Sequence, residues 1–269
     1  MFSSFLDLAY PKSCHICGRN GQYLCDTCKK TFKRNLPECY ICRRLSPNYN
    51  THTQCKSTNS LNQVIVGWEY NKISSKILKS YKYRGARDIA KYLAEFFIQS
   101  IGHVNFKNTL FTSVPISFLR RNERGFNQTE LLVEIISKHY NCDFSLNLIG
   151  RKTAKGHQSL RDRESRLMVE HSDFYIKDAS LLGRYNSVTI LDDVITTGKT
   201  LECVSKIIKE KQGYSYSVNA LCLFRGKPYY SWGTVGSVFS TVSFWRIVSS
   251  VWTGCSVCSV CLLVFSVVS

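Results

Sequence analysis

Residues Val188 to Leu201 read VTILDDVITTGKTL, and their order decides the fold. An apolar, β-branched run enters two adjacent carboxylates, passes a Thr-Thr-Gly-Lys-Thr turn and continues as a helix. Such a strand-to-helix passage is one half of a parallel β–α–β unit. The chemistry follows from the same order. Gly198 permits a tight turn and the close approach of an anion. The backbone N–H groups of Ile195, Thr196, Thr197, Gly198, Lys199 and Thr200 stand at a helix N-terminus and can cradle a phosphate. The threonine hydroxyls add donors. Asp192 and Asp193 stand at the carboxyl end of the strand, where open α/β sheets bind ligands. Their side chains can accept hydrogen bonds from ribose hydroxyls and help order Mg2+. The turn is not a Walker loop, because the first glycine of Gly-x4-Gly-Lys-Ser/Thr is missing.

Outward from this stretch the chain alternates. Strands are predicted over Gln63–Tyr70, Thr109–Ile116, Ser187–Asp193 and Ser217–Phe224. Helices are predicted over Ile73–Tyr83, Asp88–Ile101, Asn127–His139 with Asn127 as its cap, and Gly198–Lys211. Strands separated by helices of this length predict an α/β fold, a parallel sheet flanked by helices. No repeat of fixed period is visible.

The chain holds thirteen cysteines, seven of them between Cys14 and Cys55, ahead of this region. Their spacing is Cys14-x2-Cys17-x7-Cys25-x2-Cys28-x10-Cys39-x2-Cys42-x9-His52-x2-Cys55. A Cys-x-x-Cys turn presents two thiolates to one ion, and two such turns complete a tetrahedron. The pattern predicts two structural Zn2+ sites: Cys14, Cys17, Cys25 and Cys28, then Cys39, Cys42, His52 and Cys55. A crossed pairing of the turns is equally compatible with the spacing. His15 is read as a bystander. Lys29, Lys30, Lys33, Arg34, Arg43 and Arg44 surround these sites, either to meet a phosphate backbone or as a solvated face. No secretory signal precedes the cysteines, so metal binding in the cytoplasm is expected rather than disulfides.

The 269 residues carry 36 Lys and Arg against 19 Asp and Glu, a formal charge of +17. That excess predicts polyanionic partners: nucleic acid, phosphorylated small molecules or an anionic membrane. The domain reading is a double zinc ribbon over residues 10–58, the α/β domain over 61–226, and an atypical tail over 227–269. The tail holds ten Ser, ten Val and three of the four Trp. Residues 247–269 lack charge and reach bilayer-spanning length, yet are rich in Ser and Cys. They are read as a poorly packed appendage, and a membrane is not expected as a partner.

The Val188–Leu201 motif resembles the phosphoribosyl pyrophosphate signature of type I phosphoribosyltransferases. Val114–Thr129, VPISFLRRNERGFNQT, and Arg151–Arg166, RKTAKGHQSLRDRESR, narrow the resemblance. With the cysteines in front, residues 10–226 resemble the ComF family, including its GntX-like members. The Arg124–Gln128 run, Arg-Gly-Phe-Asn-Gln, is the most specific piece. The chain departs from the family pattern at Val169, where asparagine is usual, and at His52, where the pattern has cysteine.

The resemblance implies phosphoribosyl pyrophosphate with Mg2+ as ligand and a link to DNA uptake or use of external DNA. Asp192 and Asp193 would be catalytic and hold the ribose hydroxyls, and Ile195–Thr200 would hold the 5-phosphate. Val114, Pro115, Ile116 and Ser117, with Arg120, Arg121 and Arg124, would receive the pyrophosphate. Arg151–Arg166, with Lys155, Gln158 and Arg163, would form a lid. Two functions fit: a phosphoribosyltransferase, or a non-catalytic nucleotide-sensing adaptor that binds single-stranded DNA or a replication or recombination protein. No nucleobase pocket and no general base can be named from the sequence. Lys72, Lys76 and Lys79, with Lys82 and Arg84 beyond, are read as a solvated helix face in preference to a nucleic-acid stripe.

Overall fold

The structure, a computed structural model, describes residues 12–83, 88–152 and 173–227. The tail and most of the expected lid therefore lie outside the described residues. The four expected strands form one sheet: β1 (Gln63–Glu69), β2 (Thr109–Ser113), β5 (Ser187–Ile195) and β6 (Ser217–Arg225). All pair in parallel, in the order β1-β6-β5-β2. β1 is buried along its five central residues and β2 along all five, which is why both read as continuous β-rich runs rather than as alternating ones.

Successive residues alternate between two buried clusters. Ile65, Phe111, Leu191 and Leu221 meet α2 (Lys72–Tyr83), α3 (Asp88–Ile101) and α5 (Gln128–His139). Val64, Leu110, Ile190 and Ala220 meet α6 (Lys199–Gln212) and an antiparallel pair, β3 (Ile149–Arg151) and β4 (Phe174–Ile176). In α3, Ile89, Leu93 and Phe97 fall on one buried face at helical spacing.

The expected boundaries shift by one to three residues. β2 ends at Ser113, not Ile116, and β5 runs on to Ile195, beyond Asp193. Two features escape the periodicity reading. A seven-residue helix, α4 (Phe118–Arg124), starts from the Ser117 cap and ends at Gly125 in the left-handed conformation, φ 72°. It buries no residue, so it leaves no apolar period to read. β3 and β4 are three residues each, too short for an alternation.

Both sheet edges are covered. Along β1, Asn35 N–H donates to Gly67 O at 3.0 Å and Glu69 N–H to Lys33 O at 2.9 Å, with an antiparallel bridge from Arg34 to Trp68. Along β2, Phe111 N–H donates to Asp143 O at 2.9 Å and Ser145 N–H to Phe111 O at 2.9 Å. The first covering comes from the cysteine segment, whose short helix α1 (Asp26–Lys29) follows Cys25. No helix among the described residues is long and apolar enough to cross a membrane.

Candidate functional site

The site lies at the carboxyl ends of β2 and β5. Val114 N–H still bonds Leu191 O at 3.1 Å, so the chain leaving β2 stays beside β5. A hollow of about 210 Å3 opens there. Asp192, Asp193 and Val194 line it from β5, Thr200 from the first turn of α6, and Val114, Pro115 and Ile116 from the end of β2. Arg120 and Arg124 of α4, and Arg151 of β3, complete its basic side. A second hollow of about 30 Å3 runs along Val194–Leu201 and shares Asp192, Val194 and Thr200 with the first. The expected phosphate loop and the expected pyrophosphate strand end thus line two adjoining hollows that meet at Asp192, Val194 and Thr200. Ser117 instead caps α4, its hydroxyl accepting from Arg120 N–H at 3.4 Å.

The three arginines of α4 separate. Arg120 and Arg124 line the hollow, and Arg124 Nη1 donates to Gln128 Oε1 at 3.0 Å. Arg121 turns to Glu130 at 2.6 Å and does not line the hollow. Arg151 donates to Asp173 Oδ2 at 3.2 Å and lies over the Phe174 ring, 5.2 Å from its centre. Lys155, Gln158, Arg163 and Arg166 lie outside the described residues.

The Arg124–Gln128 run has a mechanical reason. Asn127, Gln128 and Thr129 are buried. Asn127 Nδ2 donates to Val114 O at 3.2 Å, and Thr129 Oγ1 to the same oxygen at 3.3 Å. Asn127 Oδ1 in turn accepts from Thr129 N–H at 3.2 Å and so caps α5. Tyr81 Oη donates to Gln128 O at 2.6 Å and ties the run to α2. The run is a clamp on the strand end that lines the hollow.

Lys82 is the site residue that sequence reasoning places elsewhere. Lys72, Lys76 and Lys79 are exposed as expected, but Lys82 lies roughly a quarter-turn off their face. Its ammonium pairs with Asp193 inside the hollow. The rotation itself, read at 100° per residue, is the signal that separates Lys82 from the solvated stripe. Asp192 accepts Asp193 N–H at 2.8 Å. Burial, and then the neighbouring Asp193 charge, push Asp192 up to about 7.

The loop needs its glycine. Gly198 has φ 88°, and a Cβ there would stand 2.8 Å from the Tyr40 ring. Ile195 O accepts Gly226 N–H at 2.8 Å, which closes the strand end against the chain leaving β6.

The cysteines gather as the spacing implies, without crossing. Cys14, Cys17, Cys25 and Cys28 form one group; Cys39, Cys42, His52 and Cys55 form the other. In each, the ligand atoms lie within 4.8 Å of one another. A tetrahedral ion with Zn–S bonds of about 2.3 Å places sulfurs about 3.8 Å apart. Cys17 and Cys25 sulfurs are 3.7 Å apart, and Cys42 Sγ is 3.3 Å from His52 Nδ1. His52 Nε2 faces Leu45 O at 3.2 Å, which fixes the tautomer that leaves Nδ1 for the metal. Two cysteine-rich groups can therefore each hold a zinc ion.

A larger hollow, about 830 Å3, lies at the opposite, amino ends of β2 and β5, between His103 and Tyr185. It reaches neither the aspartates nor the loop.

No family model matches the chain. It is 28% identical over 213 residues to the competence protein ComFC of Streptococcus pneumoniae, covering 78% of this chain and 87% of that one. ComFC of Bacillus subtilis is 27% identical over 213 residues, covering 75% and 84%. The DNA utilization protein YhgH of Escherichia coli is 23% identical over 233 residues, covering 80% and 98%. With two cysteine-rich groups ahead of a parallel α/β sheet, the chain is a homologue of the ComF, ComFC and YhgH proteins.

Proposed function

We propose that this chain binds phosphoribosyl pyrophosphate in the hollow at the end of β5 and transfers its phosphoribosyl group. We place that reaction in the cytoplasm, in a process linked to the uptake or use of external DNA. One observation carries the reading: the Asp192–Asp193 pair and the basic strand end line one hollow, the 195–200 loop lines its neighbour, and the two share Asp192, Val194 and Thr200. The relatives' names, competence protein and DNA utilization protein, support the biological setting.

The loop amides of Ile195–Thr200 would hold the 5-phosphate, and the two aspartates the ribose hydroxyls. Arg120 and Arg124 would meet the pyrophosphate. In the reaction the bond from ribose C1 to the pyrophosphate oxygen breaks, its electron pair leaving with pyrophosphate. The acceptor's lone pair forms the new bond at C1. Positive charge builds on the ribose, as in glycoside chemistry. The enzyme's task is orientation, water exclusion and charge neutralisation rather than strong acid catalysis. Asp193 is already paired with Lys82, so the residues fit a Mg2+ held largely by the ligand's own oxygens. When bound, Mg2+ supplies charge neutralisation on the departing pyrophosphate.

A second reading is favoured by charge. Lys30 and Arg34 are exposed on the cysteine segment of a chain carrying +17. The site would then sense a nucleotide ligand while this segment binds single-stranded DNA or a replication protein. Calorimetry of phosphoribosyl pyrophosphate with Mg2+ on the full chain, followed by a pyrophosphate-release assay, separates the two. Binding with release that Asp192→Asn plus Asp193→Asn abolishes, in a folded protein, supports the transferase. Binding without release supports the sensor. No binding overturns both uses of the loop.

A further inference from the structure

The two cysteine groups open with the same turn. Cys14 O accepts Gly18 N–H at 2.7 Å, and Cys39 O accepts Arg43 N–H at 2.8 Å. Cys14 N–H donates to Arg19 O at 2.8 Å, and Cys39 N–H to Arg44 O at 2.9 Å. The residue after the second cysteine of each turn is left-handed: Gly18 at φ 78° follows Cys17, and Arg43 at φ 60° follows Cys42. Glycine takes that conformation freely, and an arginine takes it against its Cβ. Something outside the turn must hold Arg43 there.

Its guanidinium shows what that is. Arg43 Nη2 donates to Thr196 O at 3.2 Å and to Gly226 O at 2.9 Å. Buried Arg225 donates from Nη1 to Thr196 O at 3.2 Å and from Nη2 to Tyr40 O at 2.6 Å. Tyr40, between Cys39 and Cys42, lays its ring against Gly198. Its hydroxyl donates to Glu202 Oε1 at 2.7 Å, in the first turn of α6, and accepts Leu61 N–H at 3.3 Å. The metal turn thus grips the loop at the Thr196 carbonyl, the Gly198 backbone and the first turn of the following helix. Because a trans peptide is planar, a Thr196 carbonyl held toward the cysteine turn sends Thr197 N–H to the opposite side.

We propose that the second cysteine–histidine group is the fixed half of the phosphate loop: through Tyr40 and Arg43 it sets the shape of Thr196–Gly198 and so the loop's hold on a phosphorylated ligand. Tyr40 and Arg43 are positioning residues, reaching the loop from behind. The inference rests on the reading of residues 195–200 as a phosphate cradle, but its structural half can be tested without a ligand.

Arg43→Gly copies the first turn, suits the left-handed backbone and removes the side chain whose guanidinium reaches the loop. Two readouts on the full chain follow: amide exchange across residues 195–201, and calorimetric affinity for phosphoribosyl pyrophosphate with Mg2+. The variant should keep its zinc content, its melting temperature and its exchange around Cys14–Cys28. Loop exchange should quicken and affinity fall roughly tenfold or more, the scale of losing hydrogen bonds from a charged group. Cys55→Ser should quicken loop exchange in the same way, whereas Cys17→Ser should leave it unchanged. Wild-type exchange and affinity in Arg43→Gly would overturn the proposal, as would equal loop loosening from damage to either group. If wild type binds no phosphoribosyl pyrophosphate yet loop exchange responds as expected, the coupling stands and the ligand assignment falls.

Discussion

The two cysteine groups share an opening turn, yet their segments pack into different buried clusters of the sheet. Cys14, Cys25 and Cys28 are buried in the cluster beneath α2, α3 and α5. Around them Tyr23 donates to Asp88 at 3.3 Å, and Phe32 packs edge-on to Trp68 and Phe96 at 5.7 and 5.4 Å. Trp68 is itself stacked on Phe96 at 4.3 Å. The second group sends Tyr40 into the other cluster, beside Leu201 and Val204 of α6. The first group is therefore wedged into aromatic packing, and the second braces a polar loop. A shared metal-binding pattern does not fix a shared use; the residues between and after the cysteines do.

The largest expected effect tests the packing side. Phe32→Ala removes a buried ring from the Trp68 wall and should cost about 3–5 kcal/mol in denaturant unfolding. Ligand affinity of the folded fraction should stay at the wild-type value. A parallel loss of affinity would break the contrast between the two seats.

The next effect sharpens the loop side through pH. Asp192 faces Lys82 of α2, Asp193 on its own strand, and Cys222 of β6. Its folded value, about 7, lies above the ordinary range, so folding favours the protonated carboxyl. That contribution is present below about pH 4 and is lost as pH rises toward 7. Asp192→Asn carries no such proton. The variant should gain stability relative to wild type across this window, and a flat difference would sink the assignment.

The smallest effect separates the brace from the fold. Tyr40→Phe removes the bond to Glu202 and the acceptor for Leu61 N–H, costing about 1–3 kcal/mol. Burial and the Glu202 charge hold the phenol well above its usual range, so the loss should be the same from pH 6 to 9. Zinc content should not change.

How much of this was legible in the sequence follows from the physics of each signal. The sheet was, because strands buried on both faces announce themselves as apolar runs, and so were the cysteine groups, because paired turns are local. The carboxylates and the loop sit in one continuous stretch and needed no tertiary knowledge to be placed together. Helix α4 was not legible, since Phe118 and Leu119 are exposed and none of its residues is buried. Lys82 was hidden by neighbouring lysines that do face solvent. Arg43 and Thr196 lie 153 positions apart, and nothing local in either segment names the other.

The strip Lys33–Asn35 joins the two cysteine groups and lies along β1 as an edge covering. The strand beneath it, QVIVGWE, is apolar and nearly all buried. Stripping the metals would free the strip at both ends and bare a sticky strand edge without melting the helices. A chelated sample should therefore scatter light and precipitate while its circular dichroism still reads as folded. On that expectation, metal supply would govern the solubility of this chain before its stability.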